Sequence, residues 1–326
     1  MSGTRRSPGP AVAASRLRSR LASYRVHAGL TQKDVAKTLD WSDSKLHRIE
    51  NGPGRIQTSD LHAMLTLYGI TDEDERQAMI SLGRASRQPA PSTRYGQRLD
   101  PKFVEFLDYE AFADRYFNYQ TKLVPGVIQI AGYADAIATN LRFMPDEDEA
   151  AAVVDARNER AQYLTGPNGP TAEFIIDEGA LHRAIGGESM AWDYKYEVMN
   201  RLFEHLNRLN TRGNTIRTGQ SASEGLNPDL SIQIVPFEVG AYAALRGPFV
   251  ALEFDDPNDE SLVYLENPDK QDIIRDPLIT AQYRTIFDDL QARIPGPDHT
   301  AEILEYIRSE FKARHDAFPV RTPSIG

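Results

Sequence analysis

The sequence contains no cysteine. That excludes disulfides, thiolate zinc sites, iron–sulfur clusters and cysteine nucleophiles, and it fits a reducing compartment. No apolar run approaches the roughly 18 residues of a membrane-spanning helix. The apolar stretch nearest the start, Ala11 to Ala14, is too short for a signal-peptide core. There is no G-x-x-x-x-G-K-[ST] loop, no G-x-G-x-x-G after a strand, no H-E-x-x-H and no G-x-S-x-G elbow. These absences lead us to expect a soluble cytoplasmic protein that is not an enzyme, with no metal, no cofactor and no membrane contact.

What is present is ordinary in amount and uneven in distribution. The 326 residues carry 37 Lys and Arg against 47 Asp and Glu, a net charge of −10. Residues 1–88 hold 14 basic and 9 acidic side chains, and the remainder 23 and 38. A basic opening quarter attracts phosphates while the rest repels them. The length predicts two domains. Residues 1–11 read as a disordered tail, 12–84 as a helical domain, and 85–99, with Pro89, Pro91 and Gly96, as a linker. A second domain is expected over 100–295, with a long loop from Asn210 to Pro228, then a C-terminal helix and tail over 296–326.

Within 12–84, Leu17, Leu21 and Tyr24 recur at helical spacing, and Gly29 ends that helix. Thr31 with Asp34 resembles a capping box, and Val35, Ala36 and Leu39 form the buried face of a second helix. Asp40 and Trp41 turn the chain, and Ser42 caps a third helix with Leu46 and Ile49 inward. Two more helices follow, on Leu61, Met64, Leu65 and Tyr68 and on Met79, Ile80 and Leu82.

The segment from Gln32 to Asn51, with "GLTQ" at 29–32 and "IENG" at 49–52, resembles the helix-turn-helix of the Xre and phage-repressor family. Asp40 departs from the Gly usual in that turn, and Asp tolerates the positive φ required. The resemblance implies double-stranded DNA as partner, with the helix at 42–50 in the major groove. Asp43, Ser44 and Arg48 then face bases. Arg48 suits a bidentate contact to guanine, and Asp43 suits a cytosine amine. Gln32, Lys33, Lys45, His47, Arg55 and Arg16 are the candidates for backbone contacts. Arg25 and Glu50 match the positions of a structural ion pair. One helix-turn-helix module alone binds weakly, so a homodimer is expected, with the second domain as its platform and half-sites about 34 Å apart.

Beyond residue 100, helical spacings run through Phe103, Phe106, Leu107 and Phe117, and helices are expected over 146–165, 188–209, 270–292 and 299–315. Strands are expected at Phe174–Ile176, Leu230–Val235, Phe249–Phe254 and Leu262–Leu265. Helices with a small sheet make the chain α+β: an all-α, lambda-repressor-like domain followed by a mixed one. Glu178 and His182, four apart beside Asp177, lack further metal ligands at useful spacing and read as a polar helix end. The stretches "LVPGVIQ" at 123–129, "RNERAQ" at 157–162, "IIDEGALHR" at 175–183, "IQIVPFEVG" at 232–240, "GPFVALEF" at 247–254 and "VYLEN" at 263–267 resemble an actinobacterial domain of Scr-type, antitoxin-like regulators, the WhiJ-like proteins among them. That resemblance implies transcriptional regulation, as repressor or autoregulator, in the nucleoid. It also implies a small companion protein encoded nearby. The rival expectation is an antitoxin-like module whose main task is holding that companion.

Overall fold

The structure is a computed structural model, and it describes residues 9–52, 56–89, 91–141, 147–185, 190–221, 224–255, 260–266 and 271–317. The chain divides into two compact units. One is Met1–Asp114 with Glu253–Ser261, and the other is Arg115–Leu252 with Leu262–Gly326.

The first unit opens on five helices: α1 (Pro10–His27), α2 (Gln32–Thr38), α3 (Asp43–Asn51), α4 (Thr58–Leu67) and α5 (Glu73–Ala85). Each boundary has a local cause. Proline stands in the first turn of α1, where no backbone donor is lost. Gly29, at φ 69°, takes the left-handed turn beyond it. The Thr31 hydroxyl accepts from the Asp34 backbone N–H, and Asp34 accepts from the Thr31 backbone, completing a capping box. Those bonds from Thr31 hold the Asp34 carboxyl below its ordinary range. Ser42 and Asp72 cap α3 and α5. Leu17, Leu21, Val35, Leu46, Leu61 and Met64 meet in one core.

Two expectations change here. Helix α1 begins at Pro10, inside the segment expected as a tail. Gly9 is buried so close to Phe112 that a Cβ on it would lie 2.0 Å from the ring. The expected linker over 85–99 holds the end of α5 and a 3-10 helix, Pro91–Arg98, with Tyr95 and Leu99 buried. Its Pro and Gly turn the chain back into the fold instead of spacing two domains. Helix α6 (Pro101–Glu110) then packs on α1. Residues 1–8 and 318–326, the outer parts of both expected tails, lie outside the described residues.

The second unit is built on a mixed six-stranded sheet. Its strands are β1 (Arg115–Gln120), β2 (Thr171–Asp177), β3 (Leu230–Val235), β4 (Phe249–Glu253), β5 (Leu262–Glu266) and β6 (Gln271–Ile274). Their order is β3-β2-β1-β4-β5-β6. Strands β1, β2 and β3 run parallel, whereas β4, β5 and β6 are antiparallel. The parallel strands are joined through α7 (Ala131–Leu141) and α8 (Glu147–Thr165), then through α9 (Glu178–His182), α10 (Trp192–Leu209) and α11 (Thr211–Thr218). Helices α12 (Pro277–Arg293) and α13 (Thr300–Ala317) end the described chain.

The sheet is larger than expected. Strand β1 lies where a helical spacing ran on to Phe117, and β6 opens the stretch expected to be helical from 270. Four successive residues of β1, Tyr116 to Tyr119, are buried, so no alternation betrays the strand. The expected loop from Asn210 contains α11. Buried Asn227 donates to the carbonyls of Leu164 (2.7 Å) and Pro170 (2.8 Å) and accepts from the Asp229 N–H (2.9 Å). Polar side chains here replace an apolar core, which is why the stretch reads as loose.

Candidate nucleic-acid interface

Helices α2 and α3 meet through a turn that depends on one residue. Asp40 has φ 54°, and it is the only non-glycine residue with positive φ among those described. That turn lets the Trp41 N–H reach the Ala36 carbonyl at 2.8 Å. Ala36 is 1 % exposed, and its small side chain lets the helices close together. Val35, Leu46 and Ile49 face the core. The opposite side of α3 therefore carries Asp43, Ser44, His47 and Arg48, all exposed, at i, i+1, i+4 and i+5.

The pair is fixed to α1 by a buried network. Arg25 donates through Nε to Glu50 Oε1 at 2.8 Å and through Nη2 to Oε2 at 3.0 Å. Its Nη1 reaches the Leu30 carbonyl at 2.9 Å. The Glu50 side chain is 2 % exposed and that of Arg25 15 %. The hydrogen bonding of Arg25 to the Glu50 carboxylate pushes the Arg25 pKa above its ordinary value. Gln32 Nε2 adds a third donor to Glu50, at 2.7 Å. This last bond went unforeseen. It joins the first residue of α2 to Glu50 near the end of α3, 18 residues on. Nearby Tyr68 is also pushed upward, by burial first and by the Glu50 charge second.

Six of the expected site residues line one open cleft: Gln32, Lys33, Asp43, Ser44, His47 and Arg48. Arg48 Nε also touches the Ser44 carbonyl at 3.3 Å, and the Asn51 amide donates to His47 Nδ1 at 3.2 Å. Lys45 is placed elsewhere. Its ammonium pairs with Asp60 Oδ1 at 2.8 Å and lies 3.9 Å above the Trp41 ring. Arg16 sits half-buried on α1, outside the cleft. Arg55 lies outside the described residues.

In the second unit, His182 Nε2 lies 2.8 Å from Glu178 Oε1 and Nδ1 lies 3.3 Å from Glu310 Oε2. Glu178 also accepts from the Phe237 N–H at 2.8 Å. Tyr242 donates to Asp177, and Tyr119 donates to Tyr242 at 2.9 Å. Burial and these bonds raise the pKa of Tyr242. Both imidazole nitrogens thus face carboxylates, and the group ties α9, α13 and the chain after β3 together. Among the described residues no cluster of three or more His, Asp or Glu side chains is disposed to hold a metal ion. No helix among them is long and apolar enough to cross a membrane.

Comparison with protein families gives two matches. Residues 16–79 match a helix-turn-helix domain, and residues 103–306 match a domain of unknown function, DUF5753. No curated protein and no solved structure matches the chain.

Proposed function

We propose that this chain, which belongs to the DUF5753 family and carries a helix-turn-helix domain ahead of that region, is a sequence-specific transcriptional regulator of the Xre type. It acts in the cytoplasm, on the nucleoid, as a repressor or autoregulator. The observation that carries this reading is the convergence of Gln32, Lys33, Asp43, Ser44, His47 and Arg48 on one exposed cleft, braced from beneath by Arg25 and Glu50. The helix start of α2 and the cations Lys33 and Arg48 suit phosphates and guanine, and Ser44 is short enough to let α3 approach base edges. One such module binds weakly, so the working form is a homodimer on paired half-sites.

A second reading is favoured by charge. The residues after 88, with 23 basic and 38 acidic side chains, repel DNA and suit a basic protein surface. In that reading the DUF5753 region is antitoxin-like, of the actinobacterial Scr type, and holds a small companion protein. Neither reading includes a chemical step. Gel shifts on the promoter of the chain's own operon, at rising salt, test the first. Affinity should fall steeply with salt, and Arg48→Ala and Ser44→Ala should weaken the shift. Parental shifts from both variants would overturn the groove assignment, whereas a stable complex with the product of a neighbouring short reading frame supports the second.

A further inference from the structure

The walls of the cleft carry donors and cations, with one exception. Lys33 and Arg48 are cationic, and Gln32, Ser44 and His47 bring N–H or O–H groups. Asp43, as a carboxylate, only accepts. It is exposed, and it makes no hydrogen bond or ion pair with any described residue. Standing in the first turn of α3, it gains from the positive end of the helix. That gain accounts for a carboxylate there in the free protein. It does not account for what happens when a duplex closes over it.

Duplex DNA carries one phosphate charge per about 1.7 Å of axis. A carboxylate entering the major groove on α3 lies between two rows of those charges and loses its water. Guanine presents only N7 and O6 acceptors there, and thymine presents O4 and a methyl group. Adenine offers one amine beside the N7 acceptor, which repels a second acceptor. Cytosine offers its N4 amine alone. On most sequences Asp43 is therefore a desolvated negative charge with no partner.

Resting on the DNA-docking reading above, we propose that Asp43 sets specificity by repulsion: it weakens binding to every duplex except one that places a cytosine amine against it. Lys33 and Arg48 supply attraction, and Asp43 determines which sequences keep it. The half-site consequently contains a cytosine at the Asp43 position.

The test uses the full chain and a pool of random-sequence duplexes. Affinity for the unselected pool is measured by anisotropy, and preferred sequences are obtained by repeated selection. The parent should enrich a motif with cytosine at one position of each half-site. Asp43→Asn should lower the preference for that cytosine by about 5- to 150-fold and move it toward adenine, which Asn reads through N6 and N7. The same variant should bind the unselected pool about 5-fold more tightly, as one repulsive charge is gone. Asp43→Glu keeps the charge and should bind the pool as weakly as the parent, which separates charge from side-chain shape. If Asp43→Asn enriches the parental motif and gains no affinity for the pool, the proposal falls and the docking reading stands. If the parent itself enriches no motif, both fall.

Discussion

The two units of this chain are held together by different means. In the first, helices stop and start on caps only three residues long, and one buried carboxylate, Glu50, gathers three donors from α1 and α2. In the second, distant segments are tied by polar side chains reaching backbone groups. Asn227 bonds Leu164 and Pro170, and Asn210 donates to the Pro297 carbonyl while accepting from the Ile232 N–H. The first arrangement gives a small domain one rigid exposed face. The second gives a larger domain a sheet whose three parallel strands meet only after long excursions of the chain. Charge divides within the first unit, basic over the five-helix segment up to residue 88 and acidic beyond it.

The sharpest way to break this contrast is Glu50→Ala. It leaves the Arg25 guanidinium half-buried without its partner, a loss on the order of 3–5 kcal/mol. Hydrogen exchange should accelerate throughout α1, α2 and α3 while β1, β2 and β3 keep their protection. Uniform loss in both units would show that they unfold as one. Asn227→Ala is the counterpart in the second unit. It orphans two buried carbonyls and one N–H, at about 1–3 kcal/mol for each group left unsatisfied. Thermal melts should record that loss, with binding of DNA unaltered.

Smaller effects separate residues within the first unit. Lys33→Ala should weaken binding to all sequences alike and reduce the salt slope by about one. Lys45→Ala should leave that slope unchanged, because its ammonium is engaged by Asp60 and Trp41 outside the cleft. Equal slopes for the two variants would remove the distinction the cleft draws. The smallest effect is one of pH. Burial, then the hydrogen bond to Glu75, raises Tyr24 from 10.0 to about 12. The folded form keeps its phenol proton where the unfolded chain has lost it. Its contribution to stability is complete below pH 10 and declines as pH rises toward about 12. Denaturant titrations across that window should show the decline in the parent and a shallower one in Tyr24→Phe.

How much was legible in the sequence follows from the same contrast. The first unit announces itself because its causes are local: Thr31 with Asp34, Ser42, Gly29, and an apolar face repeating every three or four residues. Even the exceptional φ of Asp40 was readable, since the family pattern places Gly there. Gln32's bond to Glu50 was not, because it spans 18 residues and neither partner is apolar. The engagement of Lys45 by Asp60 was missed for the same reason. In the second unit β1 was hidden by burial on both faces, which erased the period-2 signal, and by aromatics that continued a helical spacing. Strand β6 was hidden by its polar residues Gln271 and Asp272. Helix α11 is short and polar, and buried Asn210, Thr211 and Asn227 hold its surroundings. No periodicity reports a fold made by such contacts.

The absence of cysteine allows a direct test of where DNA touches the protein. A single thiol can be introduced at Ser44 in the cleft or at Thr285 on the exposed side of α12, and challenged with duplexes carrying a thiol tethered in the major groove. Ser44→Cys should form a disulfide with the duplex at a defined base position, and Thr285→Cys should form none. Crosslinking from Thr285→Cys with none from Ser44→Cys would contradict the placement of α3 in the groove.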